Sequence, residues 1–351
     1  MNIFSTLRAQ GIIGVPTPQR SIQASDLTQF GINISQTGPR PPLTVIFEAD
    51  PNYKNPYSHQ ASFGIERELA RGFSLSASYV YVRGVHLTTS RDVNLLVAPV
   101  NPAKGIRDWG ATPDNPTGTK YFVNPLLFQD NVYESGANSF YNGLIFEASK
   151  RFSKNAMVNF NYTFSKAIDE TVDYNSDFQP NDQTCRRCER SLSSFDQRHK
   201  VVLYAVLQAP ASSSNGAFHK LTTGFLFTPI YRYGSPRPFN LLAGTELNND
   251  RHNTTDRPLY AGRNIGIGPN FWTFDSRLSR RFAVAEHKSV EFIFEAFNMF
   301  NRLNYASVNN TVGAAIPTVL TGRGDRTPSQ PLGFTSASDP RRIQLGVRFA
   351  F

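Results

Sequence analysis

The chain has no apolar run longer than the seven residues at 201–207. A helix that crosses a bilayer needs about 20, so no α-helical span is present, in line with a mean hydropathy of −0.35. Cysteine is nearly absent, at two in 351 residues, which excludes a small fold stapled by disulfides. Residues 1–16, MNIFSTLRAQGIIGVP, lack a charged leader followed by a long apolar stretch, so no signal peptide is legible. Lys and Arg outnumber Asp and Glu by 36 to 27, a net charge of +9, yet no block of five or six like charges occurs. A nucleic-acid binder needs a clustered basic face or a recognisable module. Neither is found, and nucleic acid is not an expected partner.

Chemistry-bearing constellations are also missing. Cys185-Arg-Arg-Cys188 has CxxC spacing, but no second CxxC or HxxxH supplies the other ligands of a zinc site. A local loop disulfide formed on export is the preferred reading. Ser194, Asp196 and His199 hold the residue types of a hydrolytic triad. Triads, however, converge from separated elements, and the odd spacing of Asp196 and His199 at the start of a strand sends them to opposite faces. A polar loop-to-strand junction is expected there instead. Arg323-Gly-Asp325 is three residues in a Gly-rich stretch and carries no weight. No catalytic residue, metal or cofactor is expected, and the chain does not read as an enzyme.

What the chain does have is alternation. Over residues 156–165, Ala156, Val158, Phe160, Tyr162 and Phe164 are apolar or aromatic, whereas Asn159, Asn161, Thr163 and Ser165 are small and polar. A period of two over ten residues is a β-strand with one apolar and one polar face. The strand before it puts Leu144, Phe146 and Ala148 opposite Gly143, Glu147 and Ser149, with Ile145 an exception. The short Ser153-Lys154-Asn155 link makes the two a hairpin. The same design recurs at 59–69 and 73–81 across Arg71-Gly72. Further strands are expected at 43–48, 196–208, 220–233, 271–282, 289–301 and 341–351. Residues 1–42, rich in proline, are expected to be irregular, and residues 43–351 to form the β domain.

Connections between these strands alternate, short (70–72, 153–154, 283–288) with long (84–140, 168–195, 234–270, 302–340), and a moderate one at 209–219. A secreted β-sandwich or adhesion module that binds without transporting would accommodate the two-faced strands. It gives no reason for all long loops to fall at one end, whereas outer-membrane barrels have short periplasmic turns and long external loops. The expected fold is therefore all-β, part of an antiparallel transmembrane barrel of nine or ten strands. Asn159, Asn161, Thr163, Glu147, Asp275 and Arg277 would face its lumen. Tyr141, Tyr162, Phe164, Trp272 and Tyr305, near strand ends, are candidates for aromatic girdles at the membrane interfaces.

The last strand, RRIQLGVRFAF, sets Ile343, Leu345, Val347, Phe349 and Phe351 on one face and ends on the aromatic. It resembles the C-terminal signature of Gram-negative outer-membrane barrels. NPYSHQASFGIEREL (55–69), SYVYVRGVHL (78–87), SFYNGLIFEASKRFS (139–153), NYTFSKAIDE (161–170), SFDQRHKVV (194–202), RYGSPRPF (232–239), TDRP (255–258) and FEAFNMFNRLNY (294–305) follow in order. Their succession is similar to the Oar-like TonB-dependent receptors of Acidobacteria. The resemblance implies the C-terminal part of a barrel usually taken to have 22 strands, with a signal peptide, a carboxypeptidase-regulatory-like domain, a plug and a TonB-contacting segment that are not found here. It further implies uptake of a large solute (oligosaccharide, peptide or siderophore), and contact with outer-membrane lipid and lipopolysaccharide. The TonB system would be reached only through the parts not found. Phe351, Phe349 and Val347 would be read by the barrel-assembly machinery.

Overall fold

The computed structural model describes residues 44–153, 155–171, 179–209, 223–252, 254–259, 261–285, 287–314 and 333–351. The segment expected to be irregular at 1–42 and the tripeptide Arg323-Gly-Asp325 lie outside them. Apart from Leu127 and Phe128, which open one strand, everything below concerns the compact unit built from Ile46–Val123 and Gln129–Phe351.

Nine strands follow one another as an antiparallel meander: β1 (Tyr57–Ala70), β2 (Phe73–Asp92), β3 (Leu127–Ser153), β4 (Ala156–Asp169), β5 (His199–Gln208), β6 (Phe225–Gly234), β7 (Phe271–Ala285), β8 (Lys288–Phe297) and β9 (Arg342–Ala350). Each pairs with its sequence neighbours. Among the described residues β1 and β9 are not joined, so the sheet keeps two free edges, and all 14 residues of β1 are exposed. The first turn is made possible by Gly72 at φ +66°, a backbone state costly for other residues. The Gly72 N–H donates to Glu68 Oε1 at 2.8 Å.

Directly opposed residues in an antiparallel pair share a face, so the register sorts every side chain. One row joins Ile65, Ala77, Phe146, Tyr162, Val201, Tyr233 and Trp272. Another joins Phe227, Leu278, Phe294 and Leu345. On the opposite face run Glu66, Ser76, Glu147, Asn161 and Val202. The apolar face is uncovered: Phe63 is 70 % and Leu345 77 % exposed. A soluble sandwich would bury this face in a core, and the alternative of a secreted sandwich ends there. Ile145, the sequence exception, sits on the polar face opposite Ser78 and Thr163.

Aromatics band the apolar face twice. Towards the long loops, Tyr162 lies by His199, Tyr231 by Trp272, and Trp272 by Phe300. Towards the turns, the Arg280 guanidinium covers Phe225 and Phe282, and the Lys150 ammonium lies over Phe73 and Phe152. From Trp272 to Phe282 the strand climbs about 33 Å at ~3.3 Å per residue. A tilt of about 45° leaves about 23 Å of height, close to the ~25 Å apolar band of outer-membrane barrels.

Four expectations need correction. Residues 84–140 are not one irregular connection: β2 runs on to Asp92 and β3 starts at Leu127, pairing as far out as Asp92 with Asn131. Tyr141 does not join a girdle, because its register partners Val82 and Ala167 put it on the polar face. Tyr305 lies off the wall in a separate two-stranded sheet, Tyr305–Val308 with Phe334–Ala337, stacked on Phe334 with ring centroids 3.5 Å apart. The strand expected to reach residue 301 stops at Phe297, since Asn298 and Asn301 take φ of +47° and +52°. Asn tolerates that region, and the Asn298 side chain closes the turn by accepting from Arg302 N at 2.9 Å.

Candidate functional site

The polar residues expected to line the lumen do share a face. Asp275 and Arg277 have charged partners, whereas Glu147, among the described residues, accepts only from Ser76 Oγ at 3.4 Å. Asp275 accepts from Asn298 N at 2.8 Å and bonds Arg232. Arg277 lies between Glu291 and Glu295, at 3.7 and 3.8 Å. Asn161 stands opposite Glu147, Asn159 opposite Ser149, and Thr163 opposite Ile145. This face is wet and charged, and the charges of Asp275 and Arg277 on it are taken up by neighbouring side chains.

Above the strands the long loops knit into a platform, and its bonds are mostly polar. Asp92, wholly buried, bonds His252 Nε2 at 3.1 Å and accepts from the N–H groups of Asn94 and Asp130. Gln183 passes a hydrogen bond to Gln179, which donates to Ser90 and Asn131. Arg257 forks onto Glu189 at 2.6 and 2.8 Å, with both side chains buried. Arg263 reaches Asp169 Oδ1 at 2.6 Å. The apolar core is small: Leu95, Ala98, Trp109 and Phe122 under the first long loop. Trp109 ties that loop to the third, its N–H donating to Asn248 O at 2.7 Å. A low-dielectric network satisfied to this degree fixes one arrangement of loops.

Where the platform meets the wall there is a cavity of about 780 Å3. Lys200 and Arg232 enter it from the wall, and Arg237, Phe239 and Tyr305 from the loops. Its size suits an organic ligand. Its three cations, Arg232 being bonded to Asp275, favour a solute with acidic groups beside apolar ones.

Cys185 and Cys188 are joined, with Cα atoms 5.4 Å apart, Cys185 capping and Cys188 lying within a short 3-10 turn at Arg186–Glu189. The triad types are separated in their bonding. Asp196 accepts from Ala167 N at 2.6 Å, whereas His199 Nδ1 pairs with Tyr162 OH at 2.8 Å.

A further group was passed over in the sequence. Glu246, Asp250 and Asp256 each bring one carboxylate oxygen within 4.8 Å of the others. Burial, with repulsion from Asp256 and Glu246, raises the Asp250 carboxyl well above its usual range. Burial likewise lifts Asp256 to about 7. The available signal was the alternation of Glu246, Asn248 and Asp250 in a segment read only as polar loop.

The sequence matches the outer membrane beta barrel domain family over residues 9–262 and 259–344. No curated protein matches it. Solved structures similar to it include the outer membrane transporter YddB from Escherichia coli (11 % identity, 86 % of this chain and 33 % of that one, TM-score 0.47). The FrpB iron transporter from Neisseria meningitidis gives 12 %, 86 % and 32 %, with TM-score 0.45. The ferripyoverdine receptor of Pseudomonas aeruginosa gives 13 %, 84 % and 27 %, with TM-score 0.44. The chain spans about a third of the length of these proteins. With a two-faced antiparallel wall and a family match over nearly its whole length, the chain belongs to the outer membrane beta barrel domain family and has its place in the outer membrane.

Proposed function

We propose that this chain is barrel wall and external platform of a TonB-dependent receptor that takes up a large, acidic solute. The observation that carries the reading is the cavity at the junction of polar wall and loops, with Lys200, Arg232 and Arg237 beside Phe239 and Tyr305. A receptor needs a selective site on the external side and a wet path below it. The platform supplies the first, and the polar face, taken as luminal, supplies the second. Oligosaccharide, peptide and siderophore all come in acidic forms. The Oar-like resemblance of the sequence supports dependence on TonB. Phe351, Phe349 and Val347 then serve recognition by the assembly machinery, and the Cys185–Cys188 bridge braces an external loop.

The test is equilibrium binding to the detergent-solubilised chain, using carboxylated oligosaccharides, acidic peptides and ferric siderophores. Saturable binding of one class, weakened by Arg237→Ala and by Lys200→Ala, is expected. Binding that ignores both substitutions would move the site elsewhere. Absence of binding by all three classes would end the proposal.

A further inference from the structure

The third long loop holds three carboxylates in a place where ionised carboxylates repel one another. Asp250 is 0 % and Asp256 1 % exposed. Asp250 Oδ2 and Asp256 Oδ1 are buried and have no hydrogen-bond partner. Buried acceptors in a folded protein are nearly always paired, so two orphans from one cluster point to something that pairs with both. Glu246, Asp250 and Asp256 bring carboxylate oxygens within 4.8 Å of one another, a crowding of like charges that a proton or a cation between them relieves.

Among the described residues, the nearby cationic side chains give their hydrogen bonds to other groups, and Arg257 acts on Asp256 only through its charge. Arg257 is forked onto Glu189, and Lys104 bonds Asp108 at 2.8 Å and Leu247 O at 2.7 Å. His252 gives Nε2 to Asp92 and Nδ1 to Gln129. The remaining donors are all oxygen.

The backbone is shaped to bring them together. Glu246, Asn248 and Asp250 occupy alternate positions, as do the first three ligands of an EF-hand calcium loop. In such loops the sixth position makes a sharp turn and is usually glycine. Here the sixth is Arg251, and it takes φ +71°, with Asn249 at +62°. Asp256, at the eleventh position, falls one residue short of the EF-hand's last ligand. The bonds Asp250 N to Glu246 Oε1 (3.2 Å) and Asp250 N to Asn248 Oδ1 (3.1 Å) hold the first and third side chains inward.

We propose that Glu246, Asp250 and Asp256, with Asn248 Oδ1 beside them, form a Ca2+ site in the third external loop. Hard oxygen donors with three carboxylates suit Ca2+, which accepts irregular coordination. Mg2+ demands a near-ideal octahedron and keeps its waters. The ion neutralises the cluster, pairs both orphaned oxygens and locks the loop where Asn248 meets Trp109. The same loop carries Arg237 and Phe239 into the cavity, so the ion also steadies one side of it. The Ca2+ assignment does not depend on the solute reading.

The 351-residue chain in detergent, stripped with EGTA, is titrated with CaCl2 and separately with MgCl2 by calorimetry. The melting temperature is followed in parallel. Expected is one Ca2+ per chain with half-saturation between about 0.1 and 1 mM, the range of extracellular calcium modules, a rise in melting temperature, and a much weaker response to Mg2+. Asp250→Asn should abolish both the heat and the thermal shift. Glu246 is exposed, so Glu246→Gln keeps the fold and should weaken Ca2+ about tenfold or more. No saturable Ca2+ binding by the unaltered chain would overturn the site. Ca2+ binding left intact by Glu246→Gln would do so too, and equal affinity for Mg2+ would overturn the choice of ion. A protein in which the carboxylates merely share a proton would gain stability from Asp250→Asn and show no Ca2+ effect.

Discussion

Phe160 and its neighbour Asn161 offer the sharpest test of how the wall sits in lipid. Phe160 stands on the apolar face of β4, 39 % exposed, between Ala148 of β3 and Leu203 of β5. It is four residues from Ala156 and four from Phe164, so about 13 Å of strand separates it from each end of the apolar stretch at ~3.3 Å per residue. At a tilt of about 45° it lies about 9 Å in height from either end, well inside the hydrocarbon. An arginine there has no partner on its face, and Phe160→Arg should cost about 2–4 kcal/mol. That is roughly a 30- to 1,000-fold loss in the folded-to-unfolded ratio. Asn161, one residue on, opposes Glu147. Asn161→Arg would gain a cross-strand ion pair worth about 0.2–1 kcal/mol and should be neutral or slightly stabilising. The assay is guanidinium unfolding of the chain folded into lipid vesicles, with heat-modifiable gel mobility as a second measure of the folded fraction. Equal tolerance at the two positions, or a greater loss at Asn161, would refute the assignment of faces.

Three other perturbations follow from the geometry. Deleting Phe351, which is 98 % exposed at the end of the apolar row of β9, should lower the level of the protein in the outer membrane. Unchanged levels on quantitative blots would leave its assembly role unsupported. Glu189→Ala strands the buried Arg257 guanidinium and should cost about 3–5 kcal/mol, seen as rapid proteolysis of the loops, whereas Glu189→Leu with Arg257→Met should be much milder. At Asp108, burial works to raise the carboxyl, but bonds from Lys104, Asn249, Gly110 N and Asn101 outweigh it and hold the group at about 2. A lowered acid stabilises the fold above its unfolded value and loses that contribution as pH falls through the folded one. Loop protection worth about 2 kcal/mol should therefore fade between about pH 4 and pH 2, and Asp108→Asn should flatten that part of the acid transition.

The β-strands were legible because a strand facing lipid on one side and water on the other must alternate with period two, a property of each segment alone. Hence β1, β4, β7 and β9 were placed within a few residues of their bounds. The outer halves of β2 and β3 were illegible for the same reason. Thr89, Ser90, Asp92, Asn131 and Glu134 are buried and polar there, since both faces pack against hydrogen-bonding loops and neither meets lipid. No alternation is imposed, and none is seen.

Sequence by itself determined the meander, the order of short turns and longer connections, the two faces and the outer-membrane barrel class. Tertiary structure alone decided that Arg257 meets Glu189 across 68 residues, that Lys200 and Tyr305 share one cavity, and that Glu246, Asp250 and Asp256 converge. Periodicity is written into the backbone's own geometry and survives in isolation. Pairings between loops depend on where several chain segments come to rest together, and only the folded platform fixes that.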